Sequence, residues 1–304
     1  PLLGSRVPSA LPTQLFAARV SCHSPKYLVD HQVQGSPVFP AAGYVEHALA
    51  AAEQVFGPGP HGLENLSIQQ AMFLPEANAR VVQMAVSPEA GGLCSFETYS
   101  LPSASEAQGA RWALHACGAL RRREAGPTER PAAIDLDEVR SRTVKRHTHD
   151  DFYQDLMRNR GLVYGPAFQT IHALYRTPID CVVEVRLPPD VERELDRYHL
   201  HPALGDALFQ CTAGIIPLEQ DGSYSPYTYM PMAVRRVRLL GRPSGRMYVY
   251  AVRRSEDDRP SPESVEGDVF LLDERGQVLV EMLGVRVQRV GRGRTAQREI
   301  DVQQ

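Results

Sequence analysis

The sequence predicts an α+β fold made of two antiparallel sheets, each wrapped around one central helix. Three observations point there. Each half of the chain carries short runs of alternating apolar and polar residues broken by Pro and Gly. Each half also carries one strongly apolar helix, and the two helices open on matching tetrapeptides, Pro40-Ala41-Ala42-Gly43 and Pro202-Ala203-Leu204-Gly205.

Taken in order, ARVVQMAVS (79–87) and CSFETYSL (94–101) alternate with a period of two and read as strands. Between the chain start and these strands lies PAAGYVEHALAAAEQVF (40–56), an Ala-rich helix opened by Pro40 in an N1-like position and closed by Gly57. From residue 121 the text becomes RRREAGPTERPAAIDLDEVRSR, charged and proline-containing, which predicts a connector. The chain therefore divides into an N-terminal unit (1–122), a connector (123–148), a C-terminal unit (149–290) and a polar tail (291–304). The second unit repeats the recipe, with strands near 180–187, 246–253, 268–273 and 277–289 and a helix over 202–216. Matching helix starts suggest two copies of one unit, with small residues letting a curved sheet wrap its helix closely. Such a unit is a hot-dog, and two in one chain make a double hot-dog.

Composition limits the function. A chain of 304 residues, 43% hydrophobic, buries a substantial core, and a net charge of -3 gives no electrostatic footprint for nucleic acid. Cys22, Cys94, Cys117, Cys181 and Cys211 are odd in number, scattered and free of CxxC spacing, which argues against a disulfide framework or a zinc site and for a reducing, cytoplasmic setting. No apolar run is long enough to span a bilayer, so no membrane partner is expected. The opening PLLGSRVPSALPTQ lacks the order of a signal peptide and starts abruptly, as a domain within a longer chain does.

One acid stands out within the apolar helix LHPALGDALFQCTAGII (200–216): Asp206. Burying an unpaired carboxylate is costly, so such a residue is partnered, protonated or at a cavity rim. Gln210 lies one turn on and can fix the carboxyl by a hydrogen bond. His31, nine residues before Pro40, sits in the segment entering the first helix, and a pseudo-dimer of the two units can bring it opposite Asp206. An apolar site raises a carboxyl's pKa and keeps it a proton donor, while a neutral imidazole accepts a proton. The pair suits a reaction that takes one proton and gives another. An ion pair of Asp206 with an arginine such as Arg235 is the plainer alternative.

These residues resemble the dehydratase domains of polyketide synthases. His31-Gln-Val-Gln-Gly35-Ser-Pro-Val-Phe-Pro40 resembles their HxxxGxxxxP motif, Tyr164-Gly165-Pro166-Ala-Phe168 their YGPxF, and His201-Pro-Ala-Leu-Gly-Asp206-Ala-Leu-Phe-Gln210 their HPALxDxxxQ. Pro1-Leu2-Leu3-Gly4 and Met230-Pro231 also match, so the likeness covers about residues 1–290. Ala41 stands where many relatives have Gly, and Gly205 where Leu is common. The resemblance implies dehydration of a β-hydroxyacyl chain carried on the phosphopantetheine arm of an acyl carrier protein, with His31 as base and Asp206 as acid. It further implies Gln210 and Tyr164 as orienting residues, and Gly35, Pro40, Gly165, Pro166 and Phe168 around the substrate. The backbone N–H near Ala41, at the positive end of a helix, can polarise the thioester carbonyl. Neighbouring synthase domains and a homodimer follow from the same resemblance, with no metal and no cofactor of the domain's own.

Other readings share these residues. The same site can shift a double bond or couple dehydration to oxa-Michael ring closure; a silent carrier-binding module and a hot-dog thioesterase are further rivals. Tyr164 can line the pocket or pack in the core. Arg235, Arg236 and Arg238 can meet an acidic carrier or form a solvated strand face. Gly57-Pro-Gly59-Pro-His-Gly62 fits GxGxxG but follows a helix and reads as a loop. The pairs His147/His149 and His199/His201 lack a third metal ligand at convincing spacing.

Overall fold

The computed structural model describes residues 1–76, 79–101, 111–122 and 131–292. In chain order the first half holds β1 (Ser5–Val7), β2 (Gln14–Val20), β3 (His31–Val33), β4 (Ser36–Pro37), helix α1 (Ala41–Phe56), β5 (Gly62–Ile68), β6 (Arg80–Pro88), β7 (Leu93–Leu101) and β8 (Ala113–Arg121). Then come α2 (Leu136–Ser141), β9 (Lys145–Thr148), β10 (Leu162–Tyr164), β11 (Ile171–Arg176) and β12 (Asp180–Val185). The chain continues with α3 (Pro189–Glu192), α4 (Pro202–Cys211), β13 (Tyr227–Leu239), β14 (Met247–Arg253), β15 (Ser264–Asp273) and β16 (Val278–Arg292).

The alternating runs became strands because one face could be buried. Val82, Met84 and Val86 of β6 and Cys94 and Phe96 of β7 point into the core, while their neighbours stay partly exposed. Helix α1 is buried nearly all round in its first three turns, as a helix enclosed by a sheet must be, and Gly57 ends it at a φ of 82°.

Thirteen strands form one antiparallel sheet in the order β1-β2-β6-β7-β8-β5-β13-β16-β15-β14-β12-β11-β9. The strand after α1 pairs with the strand after α4, Val237 opposite Leu63 and Ala233 opposite Ser67. That seam fuses two sheet-around-helix units edge to edge and sets α1 beside α4, so the chain is a double hot-dog. The small residues at the helix starts do different work from the one their pattern suggested. A side chain on Gly205 would stand 3.0 Å from the Ala42 Cβ, so Gly205 sets the approach of helix to helix, while Gly43 lies against the Phe39 ring. Deleting that Cβ lets the two central helices touch near their N-termini, where the site forms.

Several boundaries differ from the sequence reading. The helix expected to 216 is α-helical only to Cys211 and continues as a 3-10 turn, Thr212–Gly214. The charged connector contains α2, capped by the Asp135 carboxylate on the N–H groups of Asp137 and Glu138, and the edge strand β9 against β11. Residues 123–130 of the connector lie outside the described residues. Of the tail expected from 291, Gly291 and Arg292 extend β16 and the rest lies outside the described residues.

Candidate active site

The spacing between His31 and Pro40 has a local cause. β3 and β4 form a hairpin whose turn residues, Gln34 and Gly35, have φ of 52° and 81°, the left-handed pair of a type I′ turn. The turn carries the chain back so that Val38 N–H donates to the His31 carbonyl (3.0 Å) and the His31 ring Nδ1 lies 2.8 Å from the Val38 carbonyl. A carbonyl only accepts, so Nδ1 holds the proton and Nε2 presents a lone pair. Pro40 then caps α1, leaving Ala41 as its first residue, with no side chain covering the terminal N–H groups. Gly35 is therefore a turn residue and Pro40 a helix start, and neither reaches the cavity wall.

His31 Nε2 faces the Asp206 carboxyl across the seam, 3.8 Å from Oδ1. Both residues are buried, at 6% and 3% exposure. Desolvation raises the Asp206 pKa, against the lowering effects of His31 and of the Gln210 hydrogen bond. Arg235 is exposed on its strand, so the alternative ion pair with Asp206 is not formed. Gln210 Nε2 donates to Asp206 Oδ2 (2.8 Å) and to the Phe168 carbonyl (3.0 Å).

Sequence reasoning missed Tyr153. It lies in a π-helical stretch, Asp151–Met157, and its buried hydroxyl accepts from Ile171 N–H (2.9 Å) and donates to Gln210 Oε1 (2.8 Å). The chain of bonds runs from the backbone of β11 through Tyr153 and Gln210 to Asp206. It fixes which end of the Gln210 amide meets the acid. The only sequence signal was an apolar spacing in a charged stretch, with nothing to mark a hydroxyl that must be bonded.

The YGPxF segment is a strap. Tyr164 pairs with His31 in register and its ring lies edge-on to the imidazole, 5.6 Å between centroids. Tyr164 thus lines the site. Gly165 N–H donates to the Asp30 carbonyl (2.7 Å), and Asp30 Oδ2 accepts from Ala167 N–H (2.9 Å). A side chain on Gly165 would land on the Asp30 carboxylate. Pro166 begins a 3-10 turn, and Phe168 is fully buried with its ring 5.2 Å from that of His31. Contrary to their expected place around the substrate, Gly165, Pro166 and Phe168 do not border the cavity: Gly165 and Pro166 form the turn beside it, tied to Asp30 next to His31, and the Phe168 carbonyl accepts from Gln210 Nε2 while its ring packs on His31.

His31, Ala41, Tyr164, Asp206 and Gln210 border a cavity of about 390 Å³ with largely apolar walls, including Met230 and Pro231. Phe73 and Val290, half exposed, stand on its rim. Elsewhere His199 sits between Glu46 (3.5 Å) and Glu53 (3.0 Å), chiefly the Glu46 bond raising its pKa, and His201 Nδ1 caps α4 on Ala203 N–H. His147 Nε2 meets the Tyr224 hydroxyl at 2.8 Å. No three potential metal ligands converge among the described residues. Arg236 and Arg238 are engaged by Glu281, at 3.3 and 2.7 Å.

A double hot-dog with a histidine from one half opposite a carboxyl from the other has the build of a dehydratase domain. The family model described as the polyketide synthase dehydratase N-terminal domain matches residues 131–297, and that of the polyketide synthase dehydratase domain matches residues 1–101. The chain belongs to the polyketide synthase dehydratase family. Polyketide synthase GfsE of Streptomyces halstedii is 32% identical over 74% of this chain, which spans 6% of that much longer relative. The dehydratase domain from the CurF module of curacin polyketide synthase superposes with a TM-score of 0.84 at 29% identity, over 95% of this chain and 98% of that one. Two variants of the CurK dehydratase, one Asp-to-Asn and one His-to-Phe, are described as inactive; each is 25% identical, with TM-scores of 0.82 and 0.83 over 95% of this chain and 99% and 98% of theirs.

Proposed function

We propose that this domain removes water from a β-hydroxyacyl thioester carried on the phosphopantetheine arm of an acyl carrier protein, within a multidomain synthase. His31 Nε2 takes the α-proton. The electron pair moves toward the thioester carbonyl, where the N–H groups at the start of α1, near Ala41, face the developing charge. Asp206, protonated, delivers its proton to the β-hydroxyl as the C–O bond breaks. Water and an α,β-unsaturated thioester leave, and a proton passing from His31 to Asp206 restores both groups.

The observation that carries this reading is the 3.8 Å pairing of an Nε2 lone pair with a carboxyl whose pKa is raised, inside an apolar cavity. Gln210 and Tyr153 support it as orienting groups. The inactive Asp and His variants of the CurK dehydratase favour the same two residue types. The test is mass spectrometry of a short (3R)-hydroxyacyl carrier protein with wild type, His31→Ala and Asp206→Asn. Wild type should release one water, about 18 mass units, and each variant should fall by about 10²–10⁴-fold. Equal loss of water in the variants refutes the assignment, and binding without any loss in wild type favours a silent carrier-binding module.

A further inference from the structure

The entry to α4 is held by side chains rather than by pairing. Residues 198–201 belong to no strand or helix, and they lead directly into the first turn of α4. Glu46 of α1, buried at 1% exposure, accepts from Leu200 N–H through Oε2 (2.8 Å), and its Oε1 lies 3.5 Å from His199 Nδ1. On the other side of that ring, Nε2 lies 3.0 Å from Glu53 Oε2. A neutral imidazole carries one N–H, so one of the two carboxylates would then face a lone pair; the imidazolium donates to both. The two carboxylates raise the His199 pKa, chiefly through the Glu46 bond.

The cluster sits where the two halves meet. Ala42, Glu46, Leu49 and Glu53 are spaced by four, three and four residues and so share one face of α1. At one end of that face Gly205 approaches Ala42; further along, Glu46 and Glu53 hold Leu200 and His199. Asp206 follows Gly205, and its 3.8 Å approach to His31 depends on where α4 lies. Deprotonating His199 leaves the buried Glu46 carboxylate without its counter-charge, which is costly, and loosens the segment that delivers α4. Burial raises the Tyr27 and Tyr198 phenols, which face Glu46, and lowers His47 and His201 to about 4 each. Arg197 is paired with Glu194 (3.1 Å). His199 is therefore the member of this cluster that changes charge between about pH 6 and about pH 9.

We infer that His199, charged between Glu46 and Glu53, is a positioning residue: it clamps the entry of α4 to α1 and so holds Asp206 opposite His31. The inference rests on the dehydratase reading for what Asp206 does there. The clamp makes the site pH-sensitive. Its stabilising contribution is fully present below the unfolded histidine pKa of about 6.5 and is lost as pH rises through the higher folded value. Water elimination should therefore weaken on the alkaline side through kcat rather than KM, since the walls of the cavity lie elsewhere.

The test reads the ring, the fold and the chemistry separately. Histidine-labelled wild type is titrated by NMR, with the His199 signal identified by its absence in His199→Lys; its midpoint should lie above the ordinary value of about 6.5. Thermal melts and dehydration of a carrier-bound β-hydroxyacyl chain are then compared for wild type, His199→Gln and His199→Lys at about pH 6 and about pH 9. At the lower pH His199→Gln should melt about 2–3 °C below wild type and turn over about tenfold more slowly at unchanged KM. Both gaps should close at the higher pH, where His199→Lys, still charged, should turn over faster than wild type. A His199 midpoint at or below the ordinary value, gaps of equal size at both pH values, or a melting gap with no change in kcat overturns the inference. The wild-type titration can overturn it even if His199→Gln does not fold. If the titration and the melts behave as expected while wild type releases no water, the clamp on α4 stands and the dehydratase reading falls.

Discussion

Tyr153→Phe tests the bond chain behind the acid with little change in shape. The hydroxyl it removes accepts from Ile171 N–H and donates to Gln210 Oε1, both buried. The ring remains, so no cavity opens. Two buried polar atoms lose a partner, at about 1–3 kcal/mol for each buried group left unsatisfied. With part of that recovered by local shifts, the net cost should be about 2–4 kcal/mol, a fall in Tm of roughly 3–6 °C for a chain of this size. Catalysis should suffer separately. Gln210 keeps its bond to the Phe168 carbonyl but loses the contact that fixes its amide, and Asp206 loses a fixed neighbour. kcat should drop about tenfold with KM nearly unchanged, since loosened positioning acts on the reacting geometry rather than on chain binding. Tyr44→Phe is the internal control: that buried hydroxyl has no partner among the described residues, so its removal should leave Tm unchanged or raise it. Thermal melts with steady-state dehydration of a carrier-bound substrate read out both. A Tyr153→Phe protein that melts within a degree of wild type at full kcat refutes the role given to this network.

Further outcomes follow from the same geometry. Burial raises the Asp206 pKa, so the neutral form is the one folding favours; that stability is fully present below the unfolded carboxylate pKa of about 4 and is lost as pH rises through the folded value. Asp206→Asn, which keeps the neutral shape, should therefore melt above wild type near neutral pH, with the gap closing below about pH 4; a gap that is constant across this range sinks the argument. Gly165→Ala drives a methyl into the Asp30 carboxylate and breaks its bond to Ala167 N–H, so it should cost about 1–3 kcal/mol and lower activity through the His31 turn. An unchanged melt and rate would show that the strap is dispensable.

Much of the fold was legible because burial writes periodicity into the chain. β6 and β7 alternate buried and less buried positions along most of their length, and α1 and α4 are rich in apolar residues on nearly every side because a sheet and a second helix enclose them. What could not be read were elements whose partners are remote. β9 is a four-residue edge strand in a charged stretch, specified only by pairing with β11, and the close packing of Gly205 on Ala42 depends on a helix in the other half.

The site divides along the same line. Asp206 and Gln210 stood out as polar residues in an apolar helix, and His31 through its spacing to Pro40. Gly35 and Pro40 were visible through their spacing but open to misreading, since a turn residue and a helix start keep a fixed separation from a reactive group without touching its substrate. Tyr153 was hidden because a tyrosine in a core is ordinary until its hydroxyl is found bonded on both sides. Arg160 was hidden for the opposite reason: an arginine two residues from another reads as solvated, and only the fold reveals that it is buried. A sequence reports which residues are unusual for their neighbourhood along the chain. The bond chain behind Asp206 is built from residues unusual for their neighbourhood in space, and His31 on β3 meets Asp206 on α4 only because the fold sets the two halves together.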